Sequence, residues 1–247
     1  MKKATKCLLG GALLILLLTP VSQVKADWHQ DNVGWWYSLN NGSYYKNTGA
    51  NIDGKSYKFD DRGYMITGWQ YNVYNGGDYS GWYYYDPVTG EEKRGWQLID
   101  GKWYYLTPFG ARSGHENING KLYYFDPVNC DMKTGWISNP GYSGTEWNYY
   151  DPESGAQVSG WQTIDGKTYC FDEFGKALAG HWILDEGKEY YFDPVNCDLK
   201  TGWLDLNGIR YYADPNDGGA FAMDKTLIID GVSYTFSSGG SVINNEP

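Results

Sequence analysis

Long hydrophobic runs are scarce in this chain of 247 residues. The only sustained one lies between Leu8 and Leu18, which is shorter than the ~20 residues that a helix needs to cross a bilayer. Three lysines precede it, and the small-residue segment Val24-Lys25-Ala26 follows it. This order is typical of a secretory signal peptide. We therefore predict that residues 1–26 are a signal peptide, that the mature protein is secreted, and that nothing inserts into a membrane.

Positively charged residues are also few. Lysine and arginine number 20 against 30 aspartates and glutamates, which gives a net charge of −10. Removal of residues 1–26 takes away four lysines, so the mature chain has 16 positive charges and a net charge of −14. A protein this acidic is a poor match for nucleic acids or anionic membranes, because like charges repel. We therefore exclude both as partners.

Cysteine and histidine are rare, with 4 and 3 residues respectively. An odd number of cysteines, Cys130, Cys170 and Cys197, remains after the signal peptide. Cys130 and Cys197 occupy equivalent places in two repeats, and such places seldom meet in a stacked array. We predict free thiols, with an intermolecular disulfide as the alternative. No histidine is paired with a cysteine at a zinc spacing, so no metal site or other cofactor is predicted.

Catalytic motifs are missing as well. No G-x-S-x-G nucleophile motif is present, and most carboxylates lie in repeated turns. We also expect no room for a separate catalytic domain, and predict that the chain is not an enzyme. The duplicated segment Asp-Pro-Val-Asn-Cys-Asp at 126–131 and 193–198 could offer oxygen ligands to calcium, but turn formation by its aspartate and proline is the favoured interpretation.

Aromatic residues and glycine are what the chain has in abundance: 18% of its residues are aromatic, and 33 are glycine. The segment from Gly95 to Leu106 shows how they are used. Asp100-Gly101 predicts a two-residue type I′ turn, which places Trp96 opposite Tyr105 and Leu98 opposite Trp103. Because side chains alternate along a strand, these four residues share one face of a β-hairpin.

Most of the chain consists of variants of this hairpin. Residues 27–67 form atypical N-terminal repeats, residues 68–224 hold units that open with Gly-Trp or Gly-His, and residues 225–247 are predicted to be a capping hairpin. No helical periodicity follows the signal peptide. An isolated hairpin is marginally stable, so each one must bury its aromatic face against a neighbour. The fold prediction is an all-β solenoid of stacked β-hairpin repeats.

The unit Gly-Trp-x-x-x-x-Gly-x-Trp-Tyr-Tyr, complete in residues 95–105, resembles the choline-binding or cell-wall-binding repeat family. Glucan-binding domains of glucosyltransferases and clostridial toxin arrays have similar repeats. The resemblance implies hairpins stacked in a left-handed superhelix. It also implies that choline is held between hairpins by two tryptophans of one and a tyrosine of the next. Aromatic faces suit a quaternary ammonium, which has no hydrogen to donate.

Transfer of this pattern to the sequence identifies candidate ligand-binding residues. The best set is Trp96 and Trp103 with Tyr124, and a second set is Trp69 and Trp82 with Tyr105. Trp136 and Trp147 form a third pair, but Cys170 stands at the expected tyrosine position. Other units depart from the pattern: Thr168 replaces a second tryptophan, His115 and His181 replace a first one, and Asp205 faces Arg210.

Three hypotheses about function remain open at this point. In the first, the protein attaches to choline-bearing teichoic acid or a related polymer at a bacterial cell surface. In the second, the aromatic rings bind glucan or another polysaccharide. In the third, the repeats are an anchor or spacer for an adhesin whose partner is a host protein. For any single tryptophan, packing between hairpins without a ligand is an equally good interpretation.

Overall fold

The computed structural model describes residues 25–72, 80–141, 144–184 and 187–246. The signal peptide prediction falls on residues that lie, up to position 24, outside this part of the chain. Across the described ranges the fold is all-β, and a single-turn 3-10 helix lies at Pro215–Asp217. None of the described residues form a helix with the length and hydrophobicity of a membrane span.

The described residues divide into two compact units, which we treat one at a time. The first contains residues 25–72 and 82–93, and the second contains residues 80–81 and the described residues from 94 onward. The hairpin that opens at Gly68 therefore belongs, for the most part, to the first unit. The predicted boundary between residues 67 and 68 stays a prediction.

Three antiparallel hairpins make up the first unit. Their strands are β1 (Asp27–Gln30), β2 (Trp35–Ser38), β3 (Thr48–Ile52), β4 (Lys55–Phe59), β5 (Gly68–Asn72) and β6 (Gly81–Tyr85).

The second unit continues the same pattern, with hairpins that in several cases recruit a third strand. Its strands in the first half are β7 (Gly95–Ile99), β8 (Lys102–Thr107), β9 (Gly110–Ala111), β10 (Gly114–Ile118), β11 (Lys121–Phe125), β12 (Met132–Lys133), β13 (Gly135–Gly141) and β14 (Gly144–Tyr150). Those in the second half are β15 (Gly160–Ile164), β16 (Lys167–Phe171), β17 (Gly180–Leu184), β18 (Lys188–Phe192), β19 (Gly202–Leu206), β20 (Ile209–Asp214), β21 (Ala220–Phe221), β22 (Thr226–Ile229), β23 (Val232–Phe236) and β24 (Val242–Glu246).

The two-residue turns fix the register of these hairpins. At the β7–β8 turn, Asp100 and Gly101 have φ angles of 50° and 76°, as a type I′ turn requires. Trp96 pairs with Tyr105 and Leu98 with Trp103, so the register predicted from the sequence is confirmed. The same positive φ angles recur at Asp165-Gly166. Local turn chemistry therefore sets which side chains share a face.

Within each unit, hairpins stack where the chain that follows one hairpin crosses back onto the hairpin before it. In the first unit, the main-chain N–H of Met65 donates to the Trp35 carbonyl at 2.6 Å. In the second unit, the N–H of Ala177 donates to the Trp147 carbonyl and that of Leu199 to the Thr168 carbonyl, both at 2.8 Å. These bonds satisfy main-chain groups at the strand edge and hold each hairpin at a fixed offset from the next.

Aromatic and aliphatic side chains fill the layers between hairpins. Ile118, Tyr123 and Phe125 form one buried cluster, on which Trp96 and Tyr105 of the preceding hairpin pack. A second cluster has Tyr169 and Phe171 at its centre, with Cys197 among its members, and Trp136 and Trp147 pack against it. The predicted all-β solenoid of stacked hairpin repeats is thus confirmed within each unit.

The duplicated Asp-Pro turns are built as the sequence predicts. The Asp126 carboxylate accepts hydrogen bonds from the main-chain N–H groups of Val128 and Asn129, at 2.9 and 2.8 Å, and Asp193 does the same in the second copy. Among the described residues, no three acidic, histidine or cysteine side chains converge as metal ligands. Cys130, Cys170 and Cys197 are buried thiols, and none of them forms a disulfide within the described residues.

Candidate functional site

The best-formed aromatic cluster in the second unit centres on Trp96 of β7. Its ring is perpendicular to that of Trp103, at 84° with centroids 6.3 Å apart. From the next hairpin, Tyr123 approaches to 4.8 Å and Phe125 to 5.7 Å. Trp103 itself is 43% exposed, so one wall of the cluster faces solvent. Two perpendicular indoles and a phenol form three sides of a box that is open to water.

The third ring of this cluster is Tyr123, and the predicted Tyr124 is wrong for that place. Tyr124 pairs with His115 across the β10–β11 hairpin, on the opposite face from Tyr123. Its ring lies 4.8 Å from the His115 ring and 6.1 Å from Tyr150, toward the following hairpin. The error is one residue, and one residue in a strand moves a side chain to the other face.

The same arrangement repeats around Trp136 of β13. Trp136 and Trp147 have their rings at 84° with centroids 6.5 Å apart, and Tyr169 of the next hairpin lies 4.9 Å from Trp136. We expected this pair to lack a third ring because Cys170 stands at the tyrosine position, and that expectation is also wrong. Cys170 is on the other face of its strand, and Tyr169 supplies the third ring. Burial raises the pKa of Tyr169, so its phenol is an uncharged wall at neutral pH.

The remaining predicted set, Trp69 and Trp82 with Tyr105, is divided between the two units. In the first, Trp69 packs on Tyr84 at 5.0 Å and Trp82 on Tyr71 at 5.3 Å, and Trp82 is 40% exposed. In the second, Tyr105 lies on the Trp96 face of its hairpin, with the two rings 5.2 Å apart. Tyr105 is therefore a member of the Trp96 cluster.

Sequence reasoning missed a cluster at the start of the first unit. Trp28 of β1 lies 4.9 Å from Tyr57 of the next hairpin, at an interplanar angle of 65°. Together with Trp35, Met65 and Val88 these rings line a cavity of about 440 Å³. The signal that could have revealed it is the tryptophan at Trp28 and again at Trp35, which have the register positions of Trp96 and Trp103.

We call these three clusters the Trp28, Trp96 and Trp136 cages, after their first tryptophan. In two of them a methionine follows the hairpin that supplies the tyrosine: Met65 lines the Trp28 cage, and Met132 packs on Tyr123 and Phe125 beside Trp96. A side chain at Gly155 would overlap the Met132 sulfur, and Gly155 also has φ of +72°. Glycine at this position therefore leaves room for the methionine wall.

Other hairpins keep the stacking contact but not the cage. Trp161 lies 5.1 Å from Tyr190, yet Thr168 stands where a second tryptophan would be. At the β19–β20 hairpin, Arg210 takes that position, opposite Asp205 as predicted. The Arg210 guanidinium carbon lies 4.4 Å above the Trp203 ring, so an internal cation occupies the aromatic face.

Comparison with known proteins found one repeat family and several solved structures that are similar to this chain. Residues 113–160 and 158–199 match the model of the choline-binding repeat family. No curated protein matches the chain significantly. Among solved structures, the modular autolysin LytC from Streptococcus pneumoniae is 24% identical, with a TM-score of 0.54, and the match covers 88% of this chain and 48% of LytC.

Two further similar structures are CbpF, which is choline binding protein F of Streptococcus pneumoniae, and CbpJ. CbpF, in complex with ipratropium, is 23% identical with a TM-score of 0.48, and the match covers 90% of this chain and 99% of CbpF. CbpJ from Streptococcus pneumoniae TIGR4 is 25% identical with a TM-score of 0.37, and the match covers 88% of this chain and 100% of CbpJ. The likeness to LytC shows a shared fold, and the family match confirms the repeat type over residues 113–199.

Proposed function

Because residues 113–199 are choline-binding repeats, we propose that this chain is a secreted, non-catalytic module that binds choline groups on a bacterial surface polymer. Teichoic acid is the polymer class proposed. The observation that carries the proposal is the recurrence of one arrangement of rings in the Trp96 and Trp136 cages, with perpendicular indoles and a tyrosine within 5 Å of the first tryptophan.

The chemistry of the cages fits a trimethylammonium group. Its positive charge is spread over methyl groups that cannot donate strong hydrogen bonds, so aromatic faces hold it by cation–π attraction and apolar contact. Each exposed contact of this kind contributes about 0.5–1 kcal/mol, and up to about 2 kcal/mol when desolvated. Several such rings therefore give weak binding at each cage.

Several weak cages on one chain suit a polymer that carries many copies of the ligand. Once one cage is occupied, the next choline on the polymer is present at a high effective concentration. Overall affinity can then exceed that of a single cage by about 10²–10⁴. This accounts for a chain that repeats a small aromatic site in place of building one large pocket.

The test is retention of the chain on a quaternary-amine resin at high salt, followed by elution with free choline. High salt removes the ion exchange that any acidic protein would show. We expect retention, and its loss when Trp35, Trp103 and Trp147 are all changed to alanine. The matched control is Trp182→Ala, which removes a tryptophan of similar exposure, 40%, that lies in none of the cages.

Flow-through of the unmodified chain at high salt would overturn choline as the ligand. Elution by soluble glucan and not by choline would favour a polysaccharide. In a further experiment the chain is captured on intact bacteria or host cells. If neither choline nor soluble glucan elutes it, a protein partner for the repeats would be favoured.

A further inference from the structure

A second cavity, of about 510 Å³, lies between the β17–β18 and β19–β20 hairpins. His181, Glu189 and Tyr191 line it from the first hairpin, and Leu206 and Tyr211 line it from the second. Phe221 also lines the cavity and is itself buried. The cavity belongs to none of the three cages.

By register, this cavity occupies the place of a cage. His181 pairs with Tyr191 and Ile183 with Glu189, just as Trp96 pairs with Tyr105 and Leu98 with Trp103. His181 and Glu189 therefore replace the two tryptophans of a cage. On the following hairpin, Tyr211 pairs with Leu204 and takes the position of the cage tyrosine.

The two replacement side chains are held together and oriented. His181 Nε2 and Glu189 Oε2 are 2.8 Å apart, and the His181 ring is stacked on Phe221 with centroids at 5.6 Å and planes at 9°. Tyr211 stacks on the same Phe221 at 5.1 Å. The Glu189 side chain keeps 19% of its surface exposed, so its carboxylate borders the cavity without being sealed from ligands.

We propose that this cavity binds a protonated primary amine, such as the ammonium group of an ethanolamine substituent. An ammonium has N–H donors for the Glu189 carboxylate, and charge-assisted hydrogen bonds of this kind are about twice as strong as neutral ones. Tyr211 retains one aromatic wall for the cation. A trimethylammonium would meet a carboxylate to which it cannot donate, and it would lack both indole faces.

The related β10–β11 hairpin shows what the glutamate adds. It also begins with Gly-His, but Leu122 stands opposite Asn117, where β18 has Glu189. Burial lowers the pKa of His115, because a positive charge is unfavourable in the surroundings of that ring. His115 is packed against Tyr124. Glu189, and not the replacement of tryptophan by histidine, therefore distinguishes the β17–β18 hairpin from the β10–β11 hairpin, and Asp205 of the following hairpin adds a second carboxylate to the cavity lining.

The test is calorimetric titration of the full chain with ethanolamine, both alone and in the presence of saturating choline. We expect a site for ethanolamine that choline does not displace, and an affinity at least about tenfold lower in Glu189→Gln. The matched control is Glu116→Gln on the β10–β11 hairpin, which should leave the affinity unchanged. As a second readout, ethanolamine should shift the NMR signals of the His181 ring and not those of His115.

Displacement of ethanolamine by choline at this site would overturn the proposal. Unchanged ethanolamine affinity in a folded Glu189→Gln variant would do so too, as would binding of N-acetylglucosamine without binding of ethanolamine. If Glu189→Gln does not fold, an unshifted His181 ring in the wild-type chain would overturn it. The titration of ethanolamine without choline tests this cavity whether or not the aromatic cages bind choline. Either proposal can therefore be wrong while the other is right.

Discussion

The β7–β8 and β15–β16 hairpins are almost the same in sequence up to the turn, but only the first forms a cage. Trp96 and Trp161 contact the next hairpin in matching ways: each lies about 5 Å from a tyrosine at 65°, and 5.7 Å from a phenylalanine. The two hairpins differ at two positions of the cluster: β8 has Trp103 and Tyr105, where β16 has Thr168 and Cys170. Of these, only Trp103 supplies an exposed indole wall. We infer two roles from this difference. The first tryptophan packs hairpin on hairpin, and the second completes the proposed choline site.

Removal of the first tryptophan should have the largest effect. We expect Trp96→Ala and Trp161→Ala each to lower the free energy of unfolding by about 2–4 kcal/mol, because each leaves a void against buried rings. Urea unfolding measures this loss. Equilibrium dialysis of choline should show fewer bound ligands for Trp96→Ala alone. A loss of bound choline in folded Trp161→Ala would contradict the division of roles.

Exchange of the second residue should transfer the site. In Trp103→Thr we expect loss of choline from the Trp96 cage with less than about 1 kcal/mol of destabilisation, because the ring is exposed. In Thr168→Trp we expect the number of bound cholines to increase by one. Both variants are checked by equilibrium dialysis. A Thr168→Trp chain that folds and binds no additional choline would contradict the role proposed for the second tryptophan.

A smaller effect should distinguish the two neighbouring tyrosines of β11. Tyr123→Leu removes the third ring of the Trp96 cage, and loss of about 1–2 kcal/mol of contact corresponds to about 5–30-fold weaker choline binding. Tyr124→Leu changes the opposite face and should leave that cage's affinity unchanged. Calorimetric titration of both variants measures the difference. Equal weakening in both would mean that the strand faces are not as described.

The smallest effect concerns the duplicated Asp-Pro turns, which begin at Asp126 and Asp193. Main-chain N–H groups of Asn196 and Val195, together with Lys200, lower the pKa of Asp193 from 3.8 to about 2. A carboxyl with a lowered pKa in the folded state stabilises the protein above its unfolded pKa. This contribution is lost as the pH falls from about 4 toward 2.

Asp193→Asn should therefore flatten the dependence of the melting temperature on pH between these limits. Thermal unfolding followed by circular dichroism is the measurement. Asp126→Asn is the companion variant in the first copy of the turn, where the pKa of Asp126 is also lowered by main-chain N–H groups. A melting temperature that falls as steeply with acid in Asp193→Asn as in the wild-type chain would show that this turn does not contribute.

Much of the fold could be predicted from the sequence because each hairpin depends on residues that are close together in the chain. Asp100-Gly101 determines a type I′ turn, and that turn determines the partners of Trp96 and Leu98. The opening cage was harder to see, because its loop lacks an Asp-Gly turn. There the Asp31 carboxylate caps the main-chain N–H groups of Val33 and Gly34, and those hydrogen bonds lower its pKa.

The local sequence is enough to specify each hairpin: its turn, its register, and the tryptophans that share its face. Which face of the next hairpin meets those tryptophans depends on the tertiary structure. Neighbouring side chains of a strand point in opposite directions, so the choice between Tyr123 and Tyr124, or between Tyr169 and Cys170, depends on the offset between stacked hairpins. That offset is set by main-chain hydrogen bonds and buried rings contributed by the following hairpins, far along the chain.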